Sequence, residues 1–442
     1  MKAKKQLILK VFLFILIFTK FANSFALDYS KITDSLSEFF YETYGQNEGT
    51  TTFRSLLIPI GGRSESLGNS YTGLCDDISF FDYNPAASSI LEQTEIAVFH
   101  NSWIADSNLE TIAASTRFGN FGIGSKLSCF YVPFTEYDAF GTKISGNYYS
   151  ETTLCLNASY TICPGYKFKG VSIGGNIKGA WRSIPDYANN DTGEIISGSG
   201  LSQSALAFIA DGGLIFQFNF AKFYNSRQAN LRIGISATNF GIAITGFKSE
   251  TGICVDSPLP SSIGLGISWK PIRPITILAE FRQPVNIFEP KEYQLFWFGS
   301  GLEISITDFF EVLTGFQLKG GNPHFSLGTE FEVFKIRMNL NYSLDLTSSF
   351  NPVNRISLSA KIKLGDKGRK AIQDKVENLY NQGIKFFAKG NFSEAIECWQ
   401  ETLRLNKFFD PAKTSIKIAT EYQNMLDEYK ETFKTENSSL EN

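Results

Sequence analysis

Residues 335–345 read KIRMNLNYSLD, and this stretch decides the fold. Ile336, Met338, Leu340, Tyr342 and Leu344 are apolar, and every residue between them is polar. A period of two puts one set on each face of an extended strand. Residues 355–364 repeat the pattern, with Ile356, Leu358, Ala360, Ile362 and Leu364 on one face, and residues 231–237 do the same. Working outward, similar segments predict strands near 95–103, 110–118, 121–132, 148–162, 170–184, 205–218, 230–240, 262–269, 274–284, 293–305, 309–318, 324–332, 335–345 and 355–364. Many approach the roughly 9–11 residues that a tilted strand needs to cross a bilayer.

The links between these segments tend to alternate in length. Short ones lie near Gly119-Asn120, Cys163-Pro164, Lys270 to Pro274, Thr307-Asp308 and Val333-Phe334; longer ones lie near 133–147, 185–204, 241–261 and 346–354. Outer-membrane barrels have short turns on one side and long loops on the other. The link at 219–229 is longer than this rule wants, and the one at 319–323 is shorter. A soluble β-sandwich or propeller also alternates, but no blade-length repeat is present. The expectation is a mainly β chain: an antiparallel transmembrane β-barrel of about 14 strands, with an N-terminal segment and a small α-helical C-terminal unit.

Composition agrees. The 442 residues include 41 Phe, 18 Tyr and 37 Gly but only 3 Met. Aromatics suit strands and interfacial girdles, and glycine suits turns and a tight lumen. A net charge of −3 gives no electrostatic case for nucleic acid. Beyond the N-terminus no stretch reaches the roughly 18 apolar residues of a spanning helix. The start itself reads as a signal peptide. Lys2, Lys4 and Lys5 precede an apolar run from Leu7 to Phe18, and the small residues Ser24 and Ala26 place cleavage before Leu27. The cysteines at 75, 129, 155, 163, 254 and 398 have neither metal-ligand spacing nor a paired pattern. With only His100 and His324, and no nucleophile elbow, phosphate loop or zinc signature, the chain is expected to be no enzyme and to need no cofactor or metal.

The most specific stretch is residues 56–86, LLIPIGGRSESLGNSYTGLCDDISFFDYNPA. It is Gly-rich, so its backbone can approach walls closely. Asn84-Pro85 is a turn signal, and Arg63, Asp76 and Asp77 are suited to ion pairs in a polar lumen. The stretch resembles the start of FadL-like outer-membrane transporters, and more closely of PorV/PorQ-type proteins. The chain is also similar to an uncharacterised family of spirochaete proteins of this type. Ile58, Pro59, Gly61, Arg63, Gly68, Tyr71, Thr72, Asp77, Asn84, Pro85 and Ala86 fall in register, while Gly62 stands for the usual Ala and Leu67 for the usual Met. The resemblance implies that this segment folds into the barrel as a hatch, with Gly61, Gly62, Arg63, Gly68, Asp77, Asn84, Pro85 and Ala86 as its motif. A segment that closes the barrel and binds nothing is the alternative.

After Gly365 the alternation stops and helical spacing predicts helices at 369–390, 393–406 and 411–434. Leu379, Gly383, Phe386, Ala395 and Trp399 sit at offsets 0, 4, 7, 16 and 20, which resembles one tetratricopeptide repeat. Lys407 stands where that motif usually has proline. The expected organisation is a signal peptide (1–26), a hatch (27–93), a barrel (94–364) and a periplasmic helical tail (365–442). The resemblance implies passive outer-membrane transport of hydrophobic small molecules such as long-chain fatty acids. A scaffold or secretion-associated protein, recruiting a periplasmic partner through the tail, is the second expectation. An elongated apolar cavity reaching the hatch, together with a kinked strand leaving a wall gap, favours transport; a closed hatch with no internal apolar pocket favours the scaffold. The aromatic stretch 130–149 reads either as an entry patch or as an interfacial girdle. Outer-membrane lipid is the remaining expected partner.

Overall fold

A computed structural model describes residues 51–440, except 105, 138–139, 163–164, 166–167, 190–191, 193, 225, 227, 248–251, 290–294, 320–321 and 346–352. The expected signal peptide, residues 27–50 and the expected turn at Cys163-Pro164 lie outside the described residues.

Fourteen antiparallel strands form a closed ring. They are β1 (Thr94–Ser102), β2 (Asn108–Phe118), β3 (Phe121–Tyr137), β4 (Lys143–Ile162), β5 (Gly170–Ser183), β6 (Ala205–Phe218) and β7 (Leu231–Thr245), then β8 (Ser262–Ile272), β9 (Ile275–Pro284), β10 (Trp297–Thr307), β11 (Phe310–Lys319), β12 (Asn322–Val333), β13 (Ile336–Asp345) and β14 (Val353–Gly365). Each pairs with its sequence neighbours, and β1 closes the ring against β14 with Thr94 opposite Gly365 and Asn101 opposite Ser357. A two-residue pair, Cys254–Val255, adds to β7 beyond the ring.

Burial is inverted relative to a water-soluble protein. On β13, Ile336, Met338, Leu340 and Tyr342 are 43–49% exposed, whereas Asn339, Asn341 and Ser343 are at most 2% exposed. The two faces of KIRMNLNYSLD therefore point where its period of two requires, with the apolar set outward. An apolar outer belt around a polar lumen is the arrangement of a barrel surrounded by hydrocarbon. One rim, the turn end, carries short links such as Gly119-Asn120, residues 273–274 and 308–309, together with both barrel termini. The opposite rim is the loop end.

The largest departure from the expected strands is at β3 and β4, where the link anticipated at 133–147 is mostly strand. Pairing of β2 with β3 begins at Asn108 opposite Tyr131, and pairing of β4 with β5 at Ser150 opposite Ser183. Residues 132–137 and 143–149 thus pair only with each other and stand beyond the rim as a two-stranded ribbon. Its aromatics broke no rule of strand alternation; the Gly and Pro within it hid the continuation. Strand β7 likewise runs to Thr245, past the expected 240.

Short helices α1 (Arg63–Ser66) and α2 (Ser199–Gln203) belong to the luminal segment and a loop. The tail is three helices, α3 (Arg369–Ala388), α4 (Phe392–Leu405) and α5 (Asp410–Leu440), around Val376, Ala395, Trp399, Phe409, Ala412 and Ala419. Helix α5 is longer than the expected 411–434. Gly383 lets α3 and α4 approach, since a Cβ there would stand 2.3 Å from the Trp399 ring. The tail is tied to the barrel by Arg369, whose guanidinium donates to the carbonyls of Arg117 (3.0 Å), Leu91 (3.3 Å) and Glu92 (2.5 Å).

Candidate functional site: the filled lumen and the wall at β7

Residues 51–93 fill the lumen. The chain enters at the loop end, where the Thr52 N–H donates to Pro258 O at 3.0 Å, and leaves at the turn end into β1. On the way it bonds to strands all around the ring. Ser326 on β12 donates to Ser66 O, Glu280 on β9 accepts from Thr72, Asn84 donates to Leu214 O on β6, and the Ser89 N–H donates to Ser159 on β4. Such a polar surface matches a polar wall because each buried donor and acceptor must be paired.

Local sequence sets this path. Gly61 and Gly62 have φ of +92° and +72°, and a Cβ at either would stand within 2.7 Å of Ser357 or Ser359. Only glycine combines that backbone with that approach. Asn84 caps a 3-10 turn over Pro85–Ser89, accepting from the Ala86 N–H at 3.1 Å, with Pro85 at the first position, where a missing N–H does no harm. Asp77 caps the preceding turn, Ile78–Asp82, through the Ser79 N–H at 2.8 Å.

Near the turn end, Arg63 sits among four carboxylates: Asp76 (3.1 Å), Glu303 on β10 (2.5 Å), Glu311 on β11 (2.8 Å) and Glu330 on β12 (3.2 Å). Beside it, Lys361 on β14 pairs with Asp77 and, at 3.3 Å, with Glu330. Burial works against the Arg63 charge, but the surrounding carboxylates outweigh it and hold the guanidinium protonated well above its usual range. Burial also opposes the Asp76 charge; Arg63 and the Tyr71 hydroxyl overcome it and hold this carboxyl far below the usual range. Asp77 is likewise held low, with Lys361 overriding burial and the repulsion from Asp76. The cluster fastens the luminal segment to β10, β11, β12 and β14 with charge, beside a buried apolar core that Leu67, Tyr71, Ile78 and Phe81 share with Phe99 on β1, Leu278 on β9 and Leu313 on β11.

Across the ring the ladder between β7 and β8 is interrupted. Pairing of β7 with β8 ends at Thr238 opposite Ser262. Here β7 carries a bulge: Asn239 takes φ +62°, and the register against β6 shifts between Ala210 and Gly212. Bulges bend a strand and end its pairing. Beyond Asn239, β7 next meets chain at Cys254–Val255 and at the Asp256 N–H, which donates to Ala243 O at 2.8 Å. Between these points residues 240–242 keep their pairing with β6, but on the β8 side residues 239–242 pair with no strand among the described residues; irregular chain at 257–261 covers them, with the Ser261 hydroxyl donating to Asn239 O at 2.7 Å. At about 3.3 Å per residue the window is roughly 13 Å tall.

A cavity of about 170 Å³ lies on the luminal side of this window. Asn239, Pro260, Ser261 and Ser262 line it at the wall, and Leu56, Leu57, Ile58 and Trp297 give it apolar surface. Arg282 lines it too, with its guanidinium 5.3 Å from the Trp297 ring centre. It is smaller than the roughly 300–1,000 Å³ typical of ligand pockets. In the loop-end chain Tyr187, Ile195, Ile253, Val255 and Phe288 are exposed, as are Phe134, Tyr137, Phe140 and Tyr148 on the ribbon.

The structure gathers the motif residues Gly61, Gly62, Arg63, Gly68, Asp77, Asn84, Pro85 and Ala86 in the lumen, all buried. It seats Arg63 with Asp76 but gives Asp77 to Lys361. In the tail, Gly383, Ala395 and Trp399 are buried and Phe386 packs against them, whereas Leu379 is half-buried outside that cluster. Among the described residues no group of three or more metal-ligating side chains comes together. Glu303, Glu311, Glu330 and Lys361 were not anticipated, although their inward, polar positions on alternating strands were a usable signal. Asn239 had a weaker signal: alternation falters at Asn239-Phe240-Gly241.

The profile described as "Uncharacterised protein family (UPF0164)" matches residues 35–367, and the chain belongs to that family. A UPF0164 protein of Treponema pallidum (strain Nichols) is 29% identical over 387 residues, covering 86% of this chain and 85% of that protein. A second from the same organism is 26% identical, covering 83% and 74%. Among solved structures, the CymD monoaromatic hydrocarbon channel is 14% identical with a TM-score of 0.46, covering 70% of this chain and 98% of that one. A Pseudomonas aeruginosa FadL homologue is 11% identical with a TM-score of 0.42, covering 69% and 99%.

Proposed function

We propose that this UPF0164 chain is an outer-membrane channel for hydrophobic small molecules, with residues 51–93 as its hatch. The observation that carries the reading is the window at residues 239–242, opposite a partly apolar cavity at the hatch. An apolar ligand gains little from a water-filled pore, so a sideways exit from lumen to bilayer suits its solubility. The exposed apolar side chains at the loop end supply a place of capture. Long-chain fatty acids are the ligand class that the FadL-like resemblance implies. The loop end then faces outward and the turn end, with the tail, the periplasm.

The test is uptake of an apolar fluorescent probe into proteoliposomes. Deleting Asn239 removes the extra residue of the bulge, restores regular register with β6 and lets β7 continue beside β8. Uptake should fall to the level of empty vesicles while the barrel still changes gel mobility on boiling. Unchanged uptake by an assembled deletion variant rejects the window as the route.

A second reading has its own support. The far half of α5 exposes Met425, Leu426 and Tyr429, with Ile418 and Tyr422 on the preceding turns. Apolar spacing of this kind suits a partner helix, so the tetratricopeptide-like tail is proposed as a recruitment surface in a PorV-type scaffold. Capture of one periplasmic protein by the full chain, lost in Met425→Asp with uptake unchanged, separates the two roles.

A further inference from the structure

At the turn end, where β13, β14, β1, β2 and the tail meet, cations sit at the edge of the apolar outer wall. Lys367 places its ammonium 3.5 Å from the centre of the Phe118 ring. Phe118 faces outward and is exposed, as are Ile362 and Leu364 on β14. Lys335 in the β13 turn is exposed, and its carbonyl accepts from the Lys363 N–H at 2.8 Å, which fixes it beside the same strand end. Lys370, one residue after Arg369, is also exposed. Two acids at this strand end are engaged: Asp366 is a cap that accepts from the Gly368 and Lys370 N–H groups at 3.1 and 2.7 Å, and Glu332 pairs with Lys363 at 2.6 Å and Arg337 at 2.7 Å. Glu92 is the third acid here. The corner thus presents three exposed ammonium groups next to a continuous outward apolar surface.

We propose that this corner binds the headgroup of an anionic phospholipid. The phosphate sits among Lys335, Lys367 and Lys370, and the acyl chains run along Phe118, Ile362 and Leu364. Charge and polarity together select this occupant. A soluble anion has no use for the apolar half, and a neutral lipid has none for the cations. The cation on the Phe118 ring marks the level at which wall meets water, which is where a lipid phosphate lies. The tail begins within this corner, at Arg369, so the bound lipid sets the tail against the membrane surface. The inference rests on the reading of the barrel as membrane-inserted.

The experiment uses the full chain in nanodiscs of mixed phosphatidylcholine and phosphatidylglycerol, with retained lipid counted by native mass spectrometry after release into detergent. The wild type should retain phosphatidylglycerol preferentially, and the preference should weaken in high salt. A Lys335→Gln/Lys367→Gln/Lys370→Gln variant changes only exposed side chains. At about fivefold per cation near a charged surface, its preference should fall on the order of 100-fold. A Lys413→Gln/Lys417→Gln/Lys430→Gln variant makes the same charge change on exposed tail positions elsewhere and should keep the preference. The proposal is overturned if the first variant retains phosphatidylglycerol like wild type, or if both variants lose it equally. Boiling-dependent gel mobility reports membrane-type barrel assembly separately, so failure of that reading is distinguishable from failure of the lipid site.

Discussion

Replacing Arg63 with alanine should unseat the hatch while leaving the barrel assembled. Arg63 is the common partner of Asp76, Glu303, Glu311 and Glu330. Without it, Glu330 keeps Arg337 at 2.9 Å and Lys361 at 3.3 Å, and Asp76 keeps the Tyr71 hydroxyl at 2.6 Å. Glu303 is left with Lys270 at 3.7 Å. Removing one member of a buried charge network destabilises by about 3–5 kcal/mol, because the orphaned charges remain. At about 1.4 kcal/mol per factor of ten, the ratio of seated to unseated hatch falls by roughly two to three and a half orders of magnitude. The strand ladders do not depend on Arg63, so mobility on an unboiled gel should be that of wild type. Planar-bilayer recordings should show a large rise in ionic conductance, and Arg63→Ala/Glu303→Gln should recover part of the closed state by removing the worst orphan. Wild-type conductance in an assembled Arg63→Ala barrel would refute a seating role for the charge cluster and leave the shared apolar core to hold the hatch.

Acid should open the channel late. Asp76 and Asp77 are both held below the ordinary aspartate value of about 3.9, so their stabilisation is complete above that value and is lost only as pH falls through their lower folded values. Conductance should stay flat from pH 7 to 5 and rise only below about 4; opening near pH 6 would contradict the assignment. Trp399→Ala should loosen the tail alone, by about 3–5 kcal/mol, because Trp399 fills the groove over Gly383 and donates to Tyr380 O at 3.1 Å. Hydrogen exchange should quicken across α3 to α5 with barrel assembly intact, and a variant that fails to form the barrel would refute the division.

The strands were legible because an inside-out barrel still alternates. Whether the apolar face of KIRMNLNYSLD points to a core or to lipid, its period is two. The start of β6 at Ala205 and the span of β13 follow from that period to within a residue. The ribbon was hidden because Pro133 and Gly146 look like loop punctuation, yet a two-stranded extension tolerates both where neighbouring strands are absent. Arg63 was legible as a charge that needs a buried partner, and Asp76 as one partner. The wall carboxylates were not, since nothing in one sequence says which inward positions of β10, β11 and β12 lie at the height of α1. That depends on strand tilt and register, which are properties of the closed ring.

How the hatch could yield without dismantling its charge cluster follows from where its bonds go. The Arg63 cluster ties the hatch to β10, β11, β12 and β14, and Asp82 pairs with Lys126 on β3, whereas the side facing β6 and β7 is held through hydrogen bonds to carbonyl oxygens. Asn84 donates to Leu214 O at 3.0 Å and Ile235 O at 3.4 Å, and Arg232 donates to Leu74 O at 2.7 Å. The Asn84 bonds join neutral groups and are worth about 0.5–1.5 kcal/mol each, and the Arg232 bond, from a charged donor, about 1.5–3 kcal/mol, against several for the cluster. The hatch is therefore expected to move first on the side next to the window. Asn84→Ala removes the two carbonyl contacts and the cap on the 3-10 turn at once. It should speed uptake of an apolar probe several-fold while leaving ionic conductance near the wild-type level, because Arg63 still holds the far side. If Asn84→Ala instead leaks ions as Arg63→Ala is expected to, the hatch moves as one rigid body, and the asymmetry of its bonds has no part in opening.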